Sequence, residues 1–193
     1  MAGQMVEIRW HARGGQGAKT AAMFVAQAVL TKGKFGQGFP EYGPERRGAP
    51  MRGFTRISDK PIRRHCSIEH PKLVVVLDPT LLDSPAAGVT AGTDADTIFL
   101  INTSLTPADL KKKLGVEGAM VYTVDATQIA LDEFGKPIPN MPMTGALLAA
   151  EPFMELDELL AAMKEKFSKK FSQAVVDGNL RAVEKAYKEV VSE

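Results

Sequence analysis

Between Glu7 and Thr20 the sequence reads EIRWHARGGQGAKT, and this stretch limits the fold more than any other. Ile8 and Trp10 alternate with polar Glu7, Arg9 and His11, the period-2 pattern of a strand. Gly14, Gly15 and Gly17 follow at once. From Ala18 the chain is rich in good helix formers, with Ala21, Phe24, Val25, Ala28 and Val29 at helical spacing. A strand that turns sharply through glycines into a helix presents backbone N–H groups and the positive end of the helix dipole, which together suit an anion.

The spacing departs from two familiar nucleotide sites. Gly15 and Gly17 supply the first pair of G-x-G-x-x-G, but position 20 is Thr and no well-placed acid for a ribose follows. In Gly17-Ala18-Lys19-Thr20 an alanine interrupts the Gly-Lys-Thr that a P-loop requires. The loop alone therefore reads either as a phosphate or cofactor contact or as a tight turn that serves packing.

A chain of 193 residues predicts one domain spanning 1–193, with C-terminal helices over about 153–193. A net charge of +1 argues against nucleic acid as a partner. No apolar run approaches membrane-spanning length and no signal-peptide pattern opens the chain, so a cytoplasmic protein without membrane contact is expected. The single cysteine, Cys66, excludes an internal disulfide and an iron–sulfur cluster or Cys-rich zinc site held by this chain alone. His65 and His70 stand at no metal-ligand spacing, so no metal is expected.

Downstream, Gly33 and its flanking lysines mark the end of the first helix. Phe35 to Pro50 begins as a short strand and continues as a Gly/Pro-rich loop carrying Glu41, Tyr42, Glu45, Arg46 and Arg47. Irregular stretches of this length tend to be functional, and the glycines would present Tyr42 and the two arginines on a rigid turn. Met51 to Ile57 alternates as a strand, and Ile62 to Ile68 reads as its hairpin partner across the turn Asp59-Lys60-Pro61. Leu73 to Leu77 is a continuous apolar run, the mark of a strand buried on both faces. Asp78-Pro79 then reads as a helix N-cap with proline at the first position, though an acid at a strand's carboxyl end could also serve a ligand.

Thr97 to Ile101 and Ala119 to Val124 are further strands, followed by capped helices beginning near Thr106 and Asp125, the latter with Gln128 as a capping box. After the rigid connector Pro137 to Met143, a helix over Gly145 to Ala150 and two amphipathic helical stripes complete the chain. This order predicts an α/β fold, Rossmann-like, with a mostly parallel sheet covered by helices, a β-hairpin insertion and C-terminal helices.

No nucleophile elbow, Cys–His pair or metal-binding helix motif is present, so no catalytic residue is assigned. Glu41 and Glu45 form a carboxylate pair, but the neighbouring Arg46 and Arg47 favour charged, paired groups. An anion-binding turn and a charged presentation loop without a self-sufficient active site suggest a subunit of something larger.

Three blocks carry a more specific likeness. Glu7-Ile-Arg-Trp-His with Gly14 to Lys19, then Phe39 to Pro50, then Pro139-Asn140 with Pro142-Met143 and Gly145-Ala146, resemble the gamma subunit of 2-oxoacid:ferredoxin oxidoreductases, in matching order along essentially the whole chain. The likeness is greatest to the pyruvate (pyruvate synthase) type, and Gly48-Ala49-Pro50 looks more like the pyruvate and branched-chain types than the 2-oxoglutarate type. The resemblance implies a complex of anaerobic metabolism that cleaves a 2-oxoacid with coenzyme A to acyl-CoA and CO2, reversibly, passing electrons to ferredoxin. It implies alpha, beta and delta-type partner subunits that hold thiamine diphosphate, Mg and the iron–sulfur clusters, and a gamma chain inactive alone.

It further implies that backbone N–H groups of Gly14, Gly15, Gln16 and Gly17 receive the phosphates of CoA, which requires those groups to be free inside the domain. Glu41, Tyr42, Glu45, Arg46 and Arg47 are the candidate interface residues. The alternatives are the gamma subunit of a 2-oxoisovalerate enzyme, a purely structural scaffold subunit, and a free-standing nucleotide-dependent oxidoreductase.

Overall fold

The computed structural model describes residues 5–41, 48–116 and 118–193. Its centre is strand β1 (Val6–Arg13), which leads through the glycine turn into helix α1 (Ala18–Ala28). A 3-10 turn over Val29–Lys32 extends the helix, and Gly33 closes it in the left-handed conformation. Strands β2 (Phe35–Pro40), β3 (Pro50–Ser58), β4 (Leu73–Val76), β5 (Ile98–Asn102), β6 (Met120–Val124) and β7 (Val191–Ser192) complete one sheet in the order β2-β3-β1-β4-β5-β6-β7. β1, β4, β5 and β6 pair in parallel, whereas β3 runs antiparallel to β1 and to β2, and β7 antiparallel to β6. Five strands thus run one way and only β3 and β7 oppose them.

The hairpin insertion exists, but its partners differ from those expected. β3 pairs with β2, from Phe35 opposite Ser58 to Pro40 opposite Gly53, while residues 61–68 form no strand. The short strand expected to begin at Phe35 is β2, and its glycines explain why it shows no alternating pattern. A side chain at Gly36 would place its Cβ 1.9 Å from the Ala26 carbonyl oxygen, so only glycine lets β2 lie against α1. Residues 61–68 instead run as an exposed strap whose carbonyls are held from below. Gln37 donates to Arg64 O at 2.9 Å and Arg56 to Cys66 O at 2.8 Å.

Helices α2 (Pro107–Leu114), α3 (Ala126–Phe134), α4 (Pro142–Ala150), α5 (Leu156–Ser168) and α6 (Gln173–Glu189) divide unequally between the faces. Against α1, α3, α4, α5 and α6 lie Ile8, Trp10, Ala12, Ile57, Leu73, Val75 and Leu100. The opposite face buries Val74, Val76, Phe99, Ile101 and Val121 beneath α2 and the 3-10 turns that carry Leu81 and Ala87. Each large apolar side chain so buried contributes about 1.5–3 kcal/mol. Thr106 caps α2 as expected, accepting from Asp109 N. Asp125 caps α3, but Gln128 turns away to Asp132, so only half of that capping box forms; the complete one is Glu155 with Glu158 at α5.

Alternating polar residues ordinarily mark a wet strand face. On β1 they do not. Arg9 and His11 are as buried as Ile8 and Trp10. The Arg9 guanidinium donates to Val89 O at 3.0 Å, Ala91 O at 2.6 Å and His11 Nε2 at 3.0 Å. Burial lowers the Arg9 pKa to about 10, with Arg52 adding to the effect. Burial, with the charges of Arg9 and Arg52, lowers that of His11 to about 3. No helix among the described residues is long and apolar enough to cross a membrane.

Candidate functional site

From β1 the chain passes to α1 on one face of the sheet, and from β4 it passes to 3-10 turns on the other. The gap between the carboxyl ends of these neighbouring strands is a topological switch point, where ligands of open α/β sheets bind. The glycine turn lies on one side of this gap and Asp78 to Thr80 on the other.

The turn is held by its neighbours. Arg13 N donates to the Gln16 side-chain oxygen at 2.7 Å, and Gln16 Nε2 donates to Asp78 Oδ2 at 2.7 Å. Asp78 also accepts from Thr80 N at 3.0 Å and from the Thr80 hydroxyl at 2.6 Å, while the Arg13 guanidinium approaches it at 3.3 Å. Burial works to raise the Asp78 pKa, but the bonds from Thr80 and Gln16 and the Arg13 charge outweigh it and leave the carboxyl below its usual range. Asp78 therefore serves as the N-cap of Pro79–Asp83 and anchors the turn at the same time.

Two of the four N–H groups expected to meet a ligand are already used. Gly14 N donates to Ala49 O at 2.9 Å, carrying the β1–β3 ladder one step past the strand end, and Gln16 N closes a turn onto Arg13 O at 3.1 Å. Among the described residues, the N–H groups of Gly15 and Gly17 have no partner. Both glycines take positive φ, 102° and 84°, and Gly15 is exposed. Gly17 occupies the N-cap of α1 in the left-handed conformation, its carbonyl accepting the helix's first bond from Ala21 N at 3.0 Å. Among the described residues the turn thus leaves Gly15 N and Gly17 N as the candidate anion donors, beside the half-exposed Arg13.

Of the candidate interface residues, Glu41 is described, and it ion-pairs with Arg52 across the β2–β3 hairpin. Tyr42, Glu45, Arg46 and Arg47 lie outside the described residues. The far stem of their loop meets the glycine turn directly. Gly48 N donates to Gly14 O at 3.1 Å, and Arg13 Nη1 to Gly48 O at 3.2 Å. Two features that stand apart in the sequence are therefore contiguous. Arg13, Thr80 and Asn140 complete the surround and were not singled out as site residues. Asn140 was visible only within the Pro139-Asn140 block, and its Nδ2 stands 3.4 Å from Gly17 O. Among the described residues, no group of three or more His, Cys, Asp or Glu side chains could hold a metal ion.

Comparison with known proteins agrees with this architecture. Residues 7–189 match the family described as pyruvate ferredoxin/flavodoxin oxidoreductase. The chain is 48% identical over 184 residues to pyruvate synthase subunit PorC of Thermotoga maritima, covering 95% of this chain and 94% of that one. It is 44% identical over 187 residues to the pyruvate/ketoisovalerate oxidoreductases common subunit gamma of Thermococcus kodakarensis, covering 97% and 98%. The crystal structure of pyruvate oxidoreductase subunit PORC from Thermotoga maritima superposes with a TM-score of 0.86 over 98% of this chain and 99% of that one, at 43% identity.

Proposed function

We infer that this chain, which belongs to the pyruvate ferredoxin/flavodoxin oxidoreductase family, works as the gamma subunit of a pyruvate-type 2-oxoacid:ferredoxin oxidoreductase. The assembled enzyme converts pyruvate and CoA to acetyl-CoA and CO2 and delivers electrons to ferredoxin. The gamma chain acts as one unit within it, in the cytoplasm. Alpha, beta and delta-type partners carry thiamine diphosphate, Mg and the iron–sulfur clusters. The role of this chain is to bring an anion cradle for the CoA phosphates and a docking surface built around Glu41 and the loop that follows it.

One observation carries the CoA reading: among the described residues, Gly15 and Gly17 keep unclaimed N–H groups at the switch point, at the positive end of α1. Hydrogen bonds to a charged group contribute about 1.5–3 kcal/mol each. In the assembled enzyme, Gly15→Val should therefore raise the KM for CoA about tenfold or more, with the KM for pyruvate little changed. A correctly assembled Gly15→Val enzyme with an unaltered KM for CoA would leave the scaffold reading in its place.

The Thermococcus relative, named as a subunit common to pyruvate and ketoisovalerate oxidoreductases, favours a second reading. Here the same gamma chain is shared by a branched-chain enzyme. A tagged chain isolated from its native cells would bring down two distinct sets of catalytic subunits if it is shared, and one set if it is dedicated.

A further inference from the structure

We propose that Asn140 is a positioning residue for the glycine turn, fixing Gly17 so that the N–H groups of Gly15 and Gly17 face the crevice. This rests on the reading of that turn as the CoA phosphate cradle. The geometry starts from a steric fact. A Cβ on Gly17 would fall 2.3 Å from Asn140 Nδ2 and 2.9 Å from its Cγ, so the space a side chain would need at Gly17 is filled by the amide. Gly17 is thus glycine for two independent reasons, its φ of 84° and this contact.

The amide is well placed to act as a fixed stop. Asn140 is buried, and its side-chain oxygen accepts from Met141 N at 2.9 Å, which sets the orientation of the amide plane and turns Nδ2 toward Gly17 O. The backbone on either side is equally constrained. Met143 N donates to Pro139 O at 2.9 Å and Thr144 N to Met141 O at 2.8 Å, and both Thr144 and Met143 are fully buried. Proline at 139 and 142 adds two fixed φ angles around the asparagine. Behind it, α4 is buried along nearly its whole length, with Gly145 against the Val183 carbonyl of α6. A polar group on so stiff a platform holds the turn in one arrangement, which is what preorganised ligand donors require.

The residue belongs to a block 123 positions away from the turn. Its carboxylate analogue provides the sharpest test. Asn140→Asp retains the size and the oxygen that accepts from Met141 N, but sets a negative oxygen where Nδ2 faces Gly17 O and the phosphate site. Asn140→Ala removes the stop.

Measured in the assembled enzyme, both variants should raise the KM for CoA by about tenfold while leaving the KM for pyruvate close to wild type, with Asn140→Ala also lowering the melting temperature because Met141 N loses its acceptor. Asn140→Asp should be the worse of the two, and its defect should shrink as salt rises. Gly17→Ala should be less damaging in the Asn140→Ala background than alone, since its clash partner is gone. Asn140→Asp with wild-type KM for CoA would overturn the proposal, as would an Asn140→Ala defect confined to melting temperature. If Asn140 variants are silent while Gly15→Val raises the KM for CoA, only the positioning role fails. If Gly15→Val is silent as well, the CoA reading falls with it.

Discussion

On one side of β1, Ile8, Trp10 and Ala12 press into a layer of helices, while on the other Arg9 and His11 lie equally deep beneath the chain at 69 and 87–91. The apolar side is held by area removed from water and by one relay, in which Trp10 Nε1 donates to the Thr55 hydroxyl and that hydroxyl donates to Ala22 O. The polar side is held by a charge that satisfies several carbonyl oxygens of irregular chain at once. Equal burial therefore hides unequal vulnerability. Loss of an apolar group leaves a void, whereas loss of the guanidinium leaves the buried Val89 oxygen and the His11 ring without their donor.

The largest effect should come from Arg9→Met, which keeps volume and removes every donor. Denaturant unfolding should show a loss of about 2–4 kcal/mol, because the buried Val89 carbonyl and the His11 ring nitrogen lose their donor. A loss below that of a single hydrogen bond would mean that the polar side is held by packing after all.

Acid should separate the two sides next. His11 accepts from Arg9 and is kept neutral, with its pKa lowered from 6.5 to about 3. Below pH 6.5 the unfolded chain binds a proton that the folded chain refuses, so stability falls as pH drops toward about 3. The slope from this one residue is at most about 1.4 kcal/mol per pH unit. His11→Gln, which can still accept from Arg9, should flatten the melting-temperature profile across that range.

A smaller and pH-independent loss is expected on the apolar side. Thr55→Val breaks the relay and strands the Trp10 N–H, costing about 1–2 kcal/mol in urea titration. Smallest of all is Cys66→Ser on the exposed strap, where the backbone carbonyl makes the bond to Arg56 and the thiol does not carry it. The change should stay within about 0.5 kcal/mol by thermal melting.

The same contrast explains what could be read in advance. Leu73 to Leu77 declares itself as a doubly buried strand because every residue is apolar, and the Asp78 and Thr106 caps follow from local hydrogen-bond chemistry. The glycine turn was legible for the same local reason. β2 was only partly legible, because Gly36 and Gly38 answer to α1 and leave no alternating pattern, whereas the apolar spacing of Ile62 to Ile68 imitates a strand without becoming one. The burial of Arg9 and His11 depends on chain some sixty to eighty positions away, which periodicity does not register. At the site, Gln16 N is taken by a local turn onto Arg13, whereas Gly14 N is taken by Ala49 and Gly17 meets Asn140 only through the tertiary fold, with Asn140 reached in the sequence through the third resemblance block.

The Glu41 N to Arg52 O bond on one side and the Gly48 N to Gly14 O bond on the other bracket residues 42–47. Both clamps are main chain to main chain and so are indifferent to the side chains between them. The turn at residues 14–17 is therefore tied to the returning stem at Gly48 and Ala49 by bonds that a change of side chain does not remove.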